Sequence, residues 1–330
     1  MTLLERLGLE HPIVQAGMGG GIADGRLAGA VSAAGGLGTV GIFPAAALER
    51  EIRLGREIAG PDRPLSANLL VPFASRSHVD ICRRVRPDVV VLHAGLDRRL
   101  LGALRESGTL VLQTVGTPLE AREALAEGAD GLVVQGIEAG GHLVGIEPGL
   151  RALEHVLAVS DGRPLWLAGG IADAGDVKRA LDAGAEAAVA GTRFLLTEEC
   201  PAHEGYKEAV LGARRTLETQ LFGFGWPMRH RVVPNAATAL WCRAGDRGAW
   251  PVRVLNRVSS PLARLPLLEA TQIAARAQHP AVPVFAPGPP LRGMPARVVR
   301  AAPLYAGETA LRIDAVLPAA EAVKALTVGR

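Results

Sequence analysis

Between residues 12 and 192 the chain alternates eight short apolar runs with longer stretches of helical periodicity. The runs are "PIVQA" (12–16), "LGTVGI" (37–42), "LSANLL" (65–70), "VVVLHA" (89–94), "TLVLQT" (109–114), "GLVVQG" (131–136), "PLWLAG" (164–169) and "AAVAGT" (187–192). They recur roughly every 25 residues, the length of one strand with its returning helix. Intervening segments such as "PAAALEREIRLGREIAG", "PLEAREALAEGA" and "DAGDVKRALDAGA" open on Pro or Asp and close near Gly, the chemistry of helix starts and stops. In the second of these, Leu119, Ala121, Ala124 and Leu125 are expected on the buried face, with Glu120, Arg122 and Glu127 in water. The runs are apolar on both faces, as strands of a parallel sheet covered by helices must be. Eight units predict a closed (β/α)8 TIM barrel, an α/β fold, because an open doubly wound sheet with a second domain seldom carries so many. An internal echo, "ALAEGAD" (124–130) and "ALDAGAE" (180–186), marks the same place in two units.

After Gly212 the pattern changes. Aromatics make up only 4% of the chain, yet Phe222, Phe224, Trp226 and Trp241 fall close together. A weakly periodic, proline-rich stretch follows. Residues 215–299 are therefore predicted as a small helical lid subdomain, with its tryptophans packing that subdomain. Residues 1–214 and 300–330 are expected to form the barrel, 307–326 returning as its closing helix.

Charge and cysteines narrow the function classes. A net charge of +3 comes almost wholly from arginine, since Lys178, Lys207 and Lys324 are the only lysines. No basic block with interleaved aromatics suggests nucleic acid. Cys82, Cys200 and Cys242 are widely spaced and show no C-x-x-C pairing, which argues against a disulfide framework or zinc site and fits a reducing cytosol. The N-terminal segment has Glu5, Arg6 and Glu10 among its apolar residues, unlike a signal peptide. No apolar stretch is long enough for a membrane span. The expectation is a soluble cytoplasmic protein, monomer or homodimer, acting on a small molecule.

Barrel chemistry lies at the carboxyl ends of the strands. Those ends carry Gly17-Met18, Asn68, His93, Gln113-Thr114, Gln135-Gly136, Gly169-Gly170 and Gly191-Thr192. Glycine turns after the seventh and eighth strands are where such barrels hold a phosphate. Asn68, Gln113 and Gln135 suit hydrogen bonds to a heterocycle. No metal-ligand spacing and no G-x-S-x-G turn is present, so a cofactor is expected to supply the difficult chemistry. His142 hangs in the glycine-rich loop "GIEAGGH" after the sixth strand, where an imidazole can exchange a proton with substrate. His93 is a second candidate. His11, His78, His155, His203, His230 and His279 are read as structural.

The motifs "PIVQAGMGGG", "LAGAVSAAGGLGTVG", "SANLLVP", "GADGLVVQGIEAGGH", "LAGGIADAGDVKRALDAGAEAAVAGTRFL" and "YAGET", in this order, resemble the nitronate monooxygenase (2-nitropropane dioxygenase) family of FMN-dependent barrels. The resemblance covers nearly the whole chain. It implies that FMN is contacted by Ala16, Gly17, Met18, Asn68, Gln113, Gly136 and Gly141. Its phosphate would lie on Gly169, Gly170, Gly191 and Thr192. It also implies that His142 is the active-site base, with O2 as oxidant and nitrite as product. The chain departs from the usual pattern at "IADG" (22–25), where members often have Ser-Thr-Pro, and at Gly17, where Pro is common. Similar barrels reduce quinones or enoyl thioesters with NAD(P)H, which is the alternative reading. A cofactor-free phosphosugar-binding barrel, or a flavin-binding module without activity, is a remoter one.

Overall fold

The computed structural model describes residues 2–243, 245–261 and 267–328. Residues 244 and 262–266 of the predicted lid lie outside the described residues. The strands are β1 (Ile13–Gln15), β2 (Gly38–Val40), β3 (Leu65–Leu70), β4 (Val89–His93), β5 (Leu110–Val115), β6 (Gly131–Gln135), β7 (Gly141–His142), β8 (Leu165–Ala168), β9 (Ala187–Ala190), β10 (Leu217–Thr219) and β11 (His230–Val232). Eight of them form one parallel sheet in the order β1-β9-β8-β6-β5-β4-β3-β2. The two edges meet through a parallel bridge between Val14 and Leu37, with Gln15 N donating to Leu37 O and Leu37 N to Ile13 O, both at 2.9 Å. The sheet is thus a closed barrel, and all eight apolar runs supply its strands.

Alternation along each strand divides the core in two. Val14, Leu37, Val89, Val91, Leu110, Leu112, Val133, Trp166, Ala187 and Val189 fill the interior. Residues of opposite parity, such as Val90, Leu92, Val111 and Val134, face the surrounding helices. The short helix Leu3–Leu7 sits beneath the barrel, with Leu3, Leu4 and Leu7 on the interior cluster and Leu4 N bonded to Glu186 Oε1 just before β9. That closes the end opposite the strand carboxyl termini.

The repeated "ALAEGAD" and "ALDAGAE" are two copies of one turn. Gly128 (φ 94°) and Gly184 (φ 99°) stop their helices in the left-handed region, which costs glycine little. Ala129 N reaches back to Ala124 O and Ala185 N to Ala180 O, both at 3.0 Å, the Schellman closure that leads into the next strand. The helix Pro118–Ala126 differs from expectation. Ala121 and Ala124 are buried, but Leu119 is 64% exposed, because two residues turn the helix by about 200° and set Leu119 opposite Ala121.

The closing helix is Ala319–Leu326, with Ala319, Ala322, Val323 and Leu326 buried against the barrel. The long excursion before it has its own core of Leu217, Leu221, Phe222, Val232, Ala237, Val252 and Phe285, with Trp241 and Tyr305 packed beside it. It is not purely helical. β10, β11 and β7 form an antiparallel sheet, so the excursion pairs directly with the loop that carries His142. No helix among the described residues is long and apolar enough to cross a membrane.

Candidate active site

A cavity of about 520 Å3 opens at the carboxyl ends of the barrel strands. Ala16, Gly17, Met18, Asn68, Gly141, His142, Gly169, Gly170, Gly191 and Thr192 all line it, as do His93 and Gln135. Two expected residues do not. Gln113 shares the parity of Val111 and Val115, so its side chain faces outward; its Nε2 donates to Gly95 O at 2.9 Å and Thr114 O at 3.1 Å. Thr114, one residue on, meets the cavity instead. Gly136 lies behind the loop, where a Cβ would come within 2.5 Å of Glu138 Oε2 and the backbone of Gly149.

At β1 the backbone itself makes room. A Cβ on Gly17 would lie 2.2 Å from Asn68 Cβ, so Asn68 can close over the strand end only because residue 17 is bare. Two strands along from β1, after β8, the glycine turn is braced from behind. Arg312 donates to Gly170 O at 3.1 Å and to Asp176 Oδ2 at 2.8 Å, and Ala172 N also bonds that carboxylate. Thr192 Oγ1 accepts from Gly307 N at 2.9 Å, which leaves the hydroxyl proton to donate elsewhere. Bare, braced backbone next to a hydroxyl donor is suited to a phosphate group.

The loop between β6 and helix Gly149–Leu157 answers for its own composition. Glu138 is structural: its carboxylate caps that helix through Gly149 N at 2.9 and 3.1 Å, where Pro148 offers no side-chain cap. Gly140 passes so close to the "YAGET" segment that a Cβ would stand 2.5 Å from Gly307 N. Gln135 is also committed to the loop, giving Nε2 to His142 O and accepting from Val144 N at 2.7 Å.

His142 emerges from this frame into a nest of rings. Trp226 stacks on it at 4.0 Å with an interplanar angle of 28°. His230 and Tyr305 stand 5.3 Å away, and Phe73 meets Trp226 edge-on. Its Nε2 is buried and has no hydrogen-bond partner among the described residues. Burial, then the neighbouring His230 and His93, push the His142 pKa well below its usual value, so the ring is neutral. A neutral ring with a free nitrogen can accept a proton.

Trp226 and Tyr305 line the cavity without having been expected there, whereas His230 is structural as expected, both its ring nitrogens being held by Phe222 N and Met228 O. Tyr305 and Gly307 had one sequence signal, the "YAGET" motif. Of the tryptophans expected to pack the lid, Trp241 does so, bonding Pro280 O, whereas Trp226 stacks on His142 and Trp250 is 67% exposed. His78 bonds Ser75 N and Phe43 O, His203 bonds Gly205 N at a helix start, and neither ring lines the cavity.

His93 and His230 titrate together with folding. Burial lowers each to about 4, offset in part by bonds to the backbone of His142 and Met228 respectively. Free imidazoles protonate below about 6.5, so under that pH the unfolded chain binds the extra protons. Stability is therefore full above about pH 6.5 and falls towards pH 4, by roughly 2 kcal/mol per ring at pH 5. Urea midpoints at about pH 7.5 and pH 5 measure this. His230→Asn should flatten the dependence by one ring's share; an unchanged slope would mean that His230 is not held neutral.

The sequence model of the nitronate monooxygenase family matches residues 2–78 and 73–235. Nitronate monooxygenase of Pseudomonas aeruginosa is 35% identical over 256 residues, covering 63% of this chain and 72% of the relative. Among solved structures, FabK from Thermotoga maritima matches with a TM-score of 0.76 at 27% identity, covering 98% of this chain and 94% of FabK. Nitroalkane oxidase from Streptomyces ansochromogenes matches with a TM-score of 0.75 at 27% identity, covering 98% and 96%. The family match runs through the first barrel strand, the glycine turns after β8 and β9 and the His142 loop, and the chain belongs to the nitronate monooxygenase family.

Proposed function

We propose that this chain oxidises alkyl nitronates, and nitroalkanes by way of their nitronates, with O2 to a carbonyl compound and nitrite, using FMN held in the strand-end cavity. The observation that carries this reading is the orphaned Nε2 of a neutral His142 in the cavity that the braced glycine turns also line. The residues suit the cofactor. The cavity volume falls within the usual range for cofactor sites, about 300–1,000 Å3. Gly169, Gly170, Gly191 and Thr192 would hold the phosphate, while Ala16, Gly17, Met18 and Asn68 would border the ring system. Bound FMN would accept electrons from the substrate and pass them to O2.

The chain's own work is proton transfer and orientation. A nitroalkane has an acidic α-hydrogen, and Nε2 of His142 takes it, leaving an imidazolium beside the new nitronate anion. Each charge offsets the desolvation of the other, so the pair forms together where either alone would be costly. Trp226 fixes the plane of the ring and, with Phe73, keeps water from that side.

Purified protein given an alkyl nitronate in air is expected to consume O2 and release nitrite. Anaerobically, the nitronate should change the visible spectrum and NADH or NADPH should not. Prompt bleaching by a pyridine nucleotide, without response to nitronate, would overturn this reading in favour of an NAD(P)H-dependent reductase of quinones or enoyl thioesters. Protein that takes up no FMN would favour a phosphosugar-binding barrel.

A further inference from the structure

We propose that Arg231, with Arg229 in support, is the positioning residue for the His142 ring, gripping the catalytic loop from outside the barrel. The assignment deepens the function proposed above and rests on His142 being its base. Loop 136–145 enters and leaves through two necks. At the first, the Arg231 guanidinium places two N–H groups on Ile137 O, Nε at 3.1 Å and Nη2 at 2.9 Å. At the second, Arg229 Nη2 donates to Gly145 O at 2.9 Å. Between the necks, β11 pairs with the loop itself, His230 opposite His142 and Arg231 opposite Gly141, and Leu143 N bonds Arg229 O at 2.9 Å.

The grip is anchored on its far side. Arg231 Nη1 donates to Thr216 Oγ1 at 3.0 Å and pairs with Glu308 at 3.3 Å, while Glu308 N bonds Glu138 O within the loop. Arg229 pairs with Glu218 on β10. Arg231 is only 8% exposed, so its charge is buried against Ile137 O, Thr216 and the Glu308 carboxylate rather than in water. Charge-assisted bonds of this kind are stronger than neutral ones, and a planar fork holds direction as well as distance. The loop has four glycines and little stiffness of its own, so the aim of the ring comes from this clamp. A lysine at 231 keeps the charge but cannot reach Ile137 O twice and Thr216 at once.

The test is Arg231→Lys in the full chain with its cofactor, read two ways. In protein labelled with 15N-histidine, the His142 imidazole resonances, assigned by their loss in His142→Gln, are expected to shift or broaden. Those of His155 and His203 should stay in place. In turnover, kcat on a neutral nitroalkane should fall roughly 10- to 100-fold, the scale of an ångström's misplacement, with a much smaller change on the preformed nitronate. An unmoved His142 resonance, or an equal loss on both substrates, overturns the proposal. Wild-type protein without nitroalkane turnover would overturn the function instead, and the resonance would still decide the clamp. Should Arg231→Lys not fold, Arg229→Lys, at a half-buried site, carries the same resonance test.

Discussion

His142→Ala is expected to slow turnover of a neutral nitroalkane by roughly 10²- to 10⁴-fold, the usual contribution of a general base, while a preformed nitronate loses far less. The difference follows from what the ring does. A nitroalkane must surrender its α-proton before oxidation, and Nε2 of His142 is a buried nitrogen in the cavity with no hydrogen-bond partner among the described residues. A nitronate arrives with that proton already gone. Alanine also removes the surface on which Trp226 stacks, so some loss of binding is expected on both substrates. Paired measurements of O2 uptake and nitrite release separate the two effects. Equal loss on both substrates would leave His142 a binding residue and remove the base from the mechanism.

Gly191→Asp is expected to weaken FMN binding by on the order of 100-fold or more, with little change in the fold. Gly191 has φ −104°, which any residue adopts, and among the described residues a Cβ there would meet only Ala16 Cβ at 3.6 Å. The new carboxylate would share the end of the cavity assigned to the phosphate. Two like charges about 4 Å apart repel by roughly 4 kcal/mol at the effective dielectric of a protein surface, or nearly three decades in affinity. Gly191→Asn adds similar bulk without charge and should cost less than about tenfold. Fluorescence titration of apoprotein with FMN gives both constants. Similar losses for Asp and Asn would mean that the space, not the phosphate charge, is what matters at this position.

Some of this site could be read along the chain and some could not. Strand ends were legible because polar or glycine residues interrupt or follow the apolar runs near their carboxyl ends, which placed Asn68, Gly169, Gly170 and Gly191 at one mouth. The side of the strand on which a terminal residue points was harder. Gln113 and Thr114 are neighbours at the end of one run, and only the register of β5 turns the threonine inward and commits the glutamine to the carbonyls of Gly95 and Thr114. Trp226 and Arg231 lie far from the barrel strands in sequence, in a stretch with weak periodicity. Nothing local tells a tryptophan that packs a subdomain, as Trp241 does, from one that stacks on the His142 ring.

The sequence by itself determined the eight-fold alternation of strand and helix, the glycine turns that leave backbone bare, and the loop that carries His142. These are local matters, set by hydrophobic period and by the few residues that tolerate tight turns. Tertiary structure alone decided that β11 pairs with that loop, that Arg229 and Arg231 hold its necks, and that three imidazoles and an indole crowd together so that His142 stays neutral. Those outcomes depend on groups far apart in the chain being buried against one another, and both the register of a sheet and the solvation of a ring arise only once that burial has taken place.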